Sequence, residues 1–201
     1  MLACLQAMTK ILKKIQDLSP PAKWLLAFVG FAFALSFLFA PEPQVVDYEA
    51  VSFNTTSDSR LYFNNVRSYF YKIDRFSKKP MQIFRLKRRV PERDSLSINF
   101  SIAHYPGAEQ AFIIVEPGKA YEQCDSLVVK FDKYPDSEPL KLINGEQQFK
   151  LAAKVYSSLL EDSGIFLCCG SDTLQRLYQD KSSQLDAEIV LEDYFKLTLK
   201  N

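Results

Sequence analysis

The residues able to do chemistry are few and widely spaced. His104 is the only histidine. It follows the stretch Ser95 to Ala103 and precedes Tyr105, Pro106 and Gly107. A catalytic histidine needs a nucleophile and an orienting acid near it in space. No G-x-S-x-G elbow supplies the serine. Cys124, Cys168 and Cys169 lie in the later part of the chain, and Cys4 near its start. Neighbouring cysteines on a strand point to opposite faces, so only one of Cys168 and Cys169 meets a core. The plain reading is a strand of buried thiols. A single disulfide from Cys124 to Cys168 or to Cys169 is the alternative. Zinc takes about four ligands, and only His104 is there to join the three cysteines. There is no C-x-x-C, P-loop, G-x-G-x-x-G or H-E-x-x-H. No metal or cofactor is expected, and a non-catalytic role is favoured over an enzyme. Gly170-Ser171-Asp172 sits after an apolar run, where backbone amides can bind an anion. The same turn serves equally as a helix cap. Asn54-Thr55-Thr56 and Asn99-Phe100-Ser101 match glycan acceptors.

Charge is the stronger signal. Lys72 to Arg93 holds nine basic residues against Asp74 and Glu92. Arg85, Lys87, Arg88 and Arg89 form its centre, with Ile83, Phe84, Leu86 and Val90 among them. Such a segment is expected to dock on an acidic protein surface or on anionic lipid. The competing expectation is a solvated loop balanced by nearby acids. No reading motif for nucleic acid accompanies the charge.

The elements that must position these residues start with an anchor. Trp24 to Ala40 reads WLLAFVGFAFALSFLFA, with no charge and one hydroxyl, Ser36. As a helix it would extend about 25 Å, near the lower limit for crossing a bilayer. Pro20 and Pro21 allow a helix to begin, and Pro41 and Pro43 end it. A cleaved signal peptide starts closer to the N-terminus and has a shorter apolar core. Lys10, Lys13, Lys14 and Lys23 precede the run, whereas no lysine or arginine follows it before Arg60. The basic side stays cytoplasmic, so the rest of the chain is expected to be exported: periplasmic in a bacterium, lumenal or extracellular in a eukaryote. Leu5, Met8, Leu12 and Ile15 give residues 2–18 an apolar stripe against lysines. That pattern suits a helix lying in the interface or against a partner helix.

The chain thus divides into a juxtamembrane helix (1–21), a span (22–40), a short tether (41–47) and an exported domain (48–201). Most of the 16 phenylalanines and all ten tyrosines lie beyond the span, enough for one core. The domain reads as α+β, a mixed and largely antiparallel sheet with one or two late helices. Strands are expected at 45–53, within 60–74, at 81–88, 95–103, 111–116, 126–131 and 165–169. In SLSINFSIA, Leu96, Ile98, Phe100 and Ile102 alternate with Ser95, Ser97, Asn99 and Ser101. That period of two predicts one buried and one wet face. AFIIVE at 111–116 suits a central strand. A helix is expected over 146–162, capped by Asn144 and stopped by Gly164. Residues 126–169 fit a β-α-β unit, Asp172 a short helix through Tyr178, and 187–191 and 194–199 two closing strands. The expected role is a membrane-anchored accessory or assembly subunit that touches the bilayer and other membrane proteins. A tethered ligand-binding module, with the aromatics of 61–71 lining a pocket, is the alternative.

Overall fold

The computed structural model describes residues 19–38, 46–76, 80–89, 97–118, 124, 126–140, 144–170 and 172–199. The chain divides into two compact units, Met1–Glu42 and Pro43–Asn201.

In the first unit, α1 spans Pro20–Leu38, starting on the two prolines. Trp24, Leu25, Phe28, Val29, Phe31 and Phe33 are all exposed on it. No helix among the described residues is long and apolar enough to cross a membrane. The run's last residues, Phe39 and Ala40, and the stripe of residues 2–18 lie outside the described residues.

The second unit is α+β, with two antiparallel sheets. With α1, the described residues hold four α-helices. Sheet 1 is a meander of β1 (Tyr71–Arg75), β2 (Gln82–Leu86), β3 (Ile98–Tyr105) and β4 (Gln110–Pro117), in that order. Sheet 2 runs β6 (Glu138–Pro139), β5 (Leu127–Phe131), β7 (Ile165–Cys169), β8 (Asp172–Arg176). Helices α3 (Gly145–Leu160) and α4 (Lys181–Thr198) pack on each other, and both contact β4. One apolar cluster takes in both sheets and both long helices.

Several expectations needed correction. Residues 46–53 form no strand; only Asn54 bridges to Gln110. Residues 57–70 are helical. Thr56 caps α2 (Ser57–Tyr62) through a reciprocal pair with Ser59, both bonds at 3.1 Å. A π turn, Phe63–Arg67, and a short 3-10 turn, Ser68–Phe70, continue it to β1. The capping box outweighs the aromatic β-propensity of this stretch.

β3 is an inner strand, and its polar face is also covered: Ser101 is fully buried and Asn99 nearly so. AFIIVE forms an edge strand, β4, rather than a central one. Its edge N–H groups are occupied from within, Ala111 donating to Phe53 O and Val115 to Gln148 Oε1. β5 and β7 pair antiparallel, so 126–169 is no parallel β-α-β unit.

Asn144 caps α3 in a capping box with Gln147, as its sequence implies. The helix turns out at Asp162, whose φ is +53°, rather than at Gly164. Gly164 has another task. A Cβ there would lie 2.2 Å from Asp132 Oδ2 and 2.8 Å from Phe166 Cε2. Asp172 starts strand β8, not a helix, and Gly170 turns the hairpin with φ +60°.

The largest correction is α4, one helix where two strands were expected. Asp180 caps it, accepting from Ser182 N at 3.1 Å and Ser183 N at 2.9 Å. The serine hydroxyls bond the same carboxylate, and these bonds pull its pKa down to about 2. Ala187, Val190, Leu191, Tyr194 and Phe195 then recur at three and four and are buried. The alternation at 194–199 is a by-product of that stripe.

Candidate functional site

The central basic residues separate in three directions. Strand alternation puts Arg85 on the face of sheet 1 turned away from the apolar cluster. Its Nε and Nη2 donate to Glu116 Oε1 at 2.8 and 2.6 Å, and its Nη1 pairs with Asp74. Arg89 reaches the second Glu116 oxygen, which also accepts from Ser101 Oγ at 2.8 Å. The Glu116 and Asp74 carboxylates hold the Arg85 proton more tightly than water would. Arg88 instead pairs with Asp186 of α4 at 2.6 Å. Lys87 donates to Tyr69 O at 2.7 Å, with its Nζ 4.7 Å above the Tyr69 ring. Of the four central basic residues, Arg85, Arg88 and Arg89 are thus ion-paired inside the domain. Asp74 was visible as a partner by proximity, but Glu116 and Asp186 come from distant sequence.

Beside this network the sheet face turns apolar. Met81, Ala103, Tyr105, Phe112 and Ile114 line an open groove of about 380 Å³ with Gly145 and Gln148. Phe53 stacks on Phe112 with centroids 4.6 Å apart.

The aromatics of 61–71 divide between core and surface. Phe63 and Tyr71 are buried, Phe63 packing on Phe84 at 5.1 Å. Leu61, Tyr62, Val66, Tyr69 and Phe70 are exposed, as is Phe76 after β1. None of them lines the groove on sheet 1. The π turn carries this split. Ser68 N donates to Phe63 O, five residues back, so the wider turn aims Phe63 inward while Val66 stays outside.

A buried ionic knot holds the segment to α4. Arg67 Nε donates to Asp193 Oδ1 at 2.7 Å, and Tyr71 Oη donates to Oδ2 at 2.6 Å. Burial raises the Asp193 pKa, against the lowering effect of its two donors. Burial, with the Asp193 charge, also raises that of Tyr71. Asp193 escaped sequence reasoning because it sits in a stretch that alternates like a strand.

The residues weighed for catalysis stand apart. His104 is buried at the end of β3, in sheet 1, and its Nε2 meets no hydrogen-bond partner among the described residues. Burial, then the Arg60 charge, lowers its pKa. Cys124 and Cys169 are joined by a disulfide. Cys168, buried in β7 of sheet 2, is a thiol whose Sγ lies 3.7 Å from Thr173 Oγ1. Gly170 opens no helix, so its turn offers no helix N-terminus to an anion. Among the described residues, no three His, Cys, Asp or Glu side chains are grouped to hold a metal. Asn99 is buried, which closes that glycan acceptor in the folded domain, whereas Asn54 is exposed.

No protein-family model matches the chain, and no curated protein or solved structure matches it.

Proposed function

We propose that this chain is a non-catalytic accessory or assembly subunit, anchored in a membrane by the run Trp24 to Ala40. Its N-terminus is cytoplasmic and its α+β domain is exported to dock on other membrane proteins. The observation that carries this reading is α1. Trp24, Leu25, Leu26, Phe28, Val29, Phe31 and Phe33 are all exposed on it, a surface that water does not tolerate on a helix left alone. The described helix stops at Leu38, and the full span rests on the sequence through Ala40. The disulfide Cys124–Cys169 supports export, because such bonds persist in oxidising compartments. On the domain, the face of sheet 1 sets a charge network beside an apolar groove, the mixture found where transient partners meet.

The deciding experiment is purification in mild detergent from the native host. Stoichiometric membrane proteins retained through the purification are expected. Protease added to spheroplasts or right-side-out vesicles should remove the domain, and its protection there would refute the orientation. The groove favours a second reading, a tethered ligand-binding module. A lone protein carrying a small molecule against Tyr105 and Phe112 would establish that instead.

A further inference from the structure

We infer that the helical segment Ser57–Phe70, with Phe76, is a seat for the lipid headgroup zone of the bilayer. This rests on the anchored reading above. Leu61 is 62% exposed and Tyr69 77%, beside Tyr62, Val66, Phe70 and Phe76. Six large apolar side chains are thus exposed within 16 residues. Scattered exposed hydrophobics are ordinary, but a row of them on one continuous segment marks a contact surface.

The charges beside the row select the occupant. Described residues 57–76 and 80–89 hold eight basic side chains against Asp58 and Asp74. Several are internally paired, but Lys87 and Arg75 meet no carboxylate within ion-pair distance among the described residues. Lys72 is 75% exposed and only 3.7 Å from Asp74, a loose pair. Lys87 Nζ rests 4.7 Å above the Tyr69 ring and the Arg67 guanidinium 5.1 Å above Phe70. Cations lying along aromatic rings, with tyrosine hydroxyls among them, match the belt at a membrane surface, where rings enter the headgroups and cations meet phosphate.

Two further features favour lipid. Only eight residue steps separate Leu38 from Val46, at most about 29 Å of chain. A weak surface affinity is therefore multiplied by tethering. The segment is also rigidly mounted. Ser59 Oγ donates to Leu197 O at 2.9 Å, and the Arg67–Asp193–Tyr71 knot fixes the far end. Only the exposed side chains then have ordering left to do at the membrane.

The test uses the full chain reconstituted in vesicles of brominated phosphatidylcholine and phosphatidylglycerol. The wild-type protein has one tryptophan, Trp24, so its quenching reports on the anchor alone. In a Trp24→Phe background, Tyr69→Trp reports on the seat, and Leu174→Trp, at an exposed site of β8, is the control. The Tyr69→Trp protein should lose most of its emission and shift to the blue, while the Leu174→Trp protein keeps its emission. Removing phosphatidylglycerol should weaken the quenching at 69. If Trp24 is not quenched, the anchored reading fails. If Trp24 is quenched and the reporter at 69 is not, anchoring stands and the lipid seat is overturned. Protection of the reporter at 69 in native membranes but not in pure vesicles also overturns it, in favour of a protein covering the face. Tyr69→Trp keeps an exposed aromatic in place, and circular dichroism matching the wild type confirms that the reporter protein is folded.

Discussion

Removing the carboxylate of Asp193 tests the main structural claim about the aromatic segment. In Asp193→Ala, Arg67 loses its counter-charge and the Tyr71 hydroxyl loses its acceptor inside the core. The Asp193 side chain is 3% exposed and that of Arg67 24%. Breaking a fully buried ion pair from one side costs about 3–5 kcal/mol. Partial exposure of Arg67 lets water recover some of that, whereas Tyr71 is left with an unmet buried hydroxyl, at about 1–3 kcal/mol. The balance is a loss of about 3 kcal/mol, which for a domain of this size lowers the Tm by roughly 6–12 °C. Thermal and urea unfolding followed by circular dichroism measures it. Hydrogen exchange should show the amides of 63–70 opening before those of β3. The double variant Arg67→Met/Asp193→Leu should recover most of the loss, because apolar side chains replace a buried pair at little cost. A single-variant loss below about 1 kcal/mol, the scale of a surface pair, would refute the reasoning. So would a double variant as unstable as the single one.

Four other outcomes are expected. A chain starting at residue 44 should be soluble and unfold cooperatively, since the described core lies in 46–199; a molten product would show that the core is completed from outside. Cys124→Ser should cost about 4 kcal/mol by loop-closure entropy for a separation of 45 residues, read from urea midpoints. In the native domain, labelling should find a thiol at Cys168 that reacts only on unfolding. His104 should make stability fall with acid. Its folded pKa lies below the ordinary 6.5, so the unfolded chain binds the proton more readily. Its contribution is intact above that value and is lost as pH drops beneath it, by at most about 1.4 kcal/mol per pH unit. Urea midpoints at pH about 7.5 and about 5.5 should differ, and the difference should shrink in His104→Asn.

Local signals in the sequence were reliable where one element met one environment. Asn144 and the stripe through Phe149, Ala152, Ala153, Tyr156 and Leu159 define α3, and Ile98, Phe100 and Ile102 define the core face of β3. Reading failed where distant parts decide the environment. The polar face of β3 looked wet because Arg85, Arg89 and Glu116, which cover it, are not neighbours in sequence. α4 looked like strands because its buried stripe contains adjacent pairs, Val190–Leu191 and Tyr194–Phe195, which blur a period of 3.6 into alternation. The cap Asp180-Lys181-Ser182-Ser183 was the signal that could have corrected it. Of the candidate site, the basic segment was legible as composition, but its internal pairing was not. The exposure of 61–70 was hidden because the same aromatics would serve equally well in a core.

The adjacent cysteines of β7 act as a register mark. Cys169 bonds Cys124, and Cys168 faces the other way with its thiol near Thr173. A slip of β7 by one residue against β5 would exchange their faces and present the wrong sulfur to Cys124. Against β5 the register is unbroken from Leu127–Cys169 to Phe131–Ile165, and the one irregularity of β7, between Leu167 and Cys168, is in its pairing with β8. Oxidation after the sheet has formed therefore records the correct alignment. Oxidation before it can trap Cys124 on Cys168, with every side chain of the strand turned over. An unfolded chain placed in an oxidising solution meets that choice at once, so its yield of native domain should depend on an isomerase able to undo the first bond.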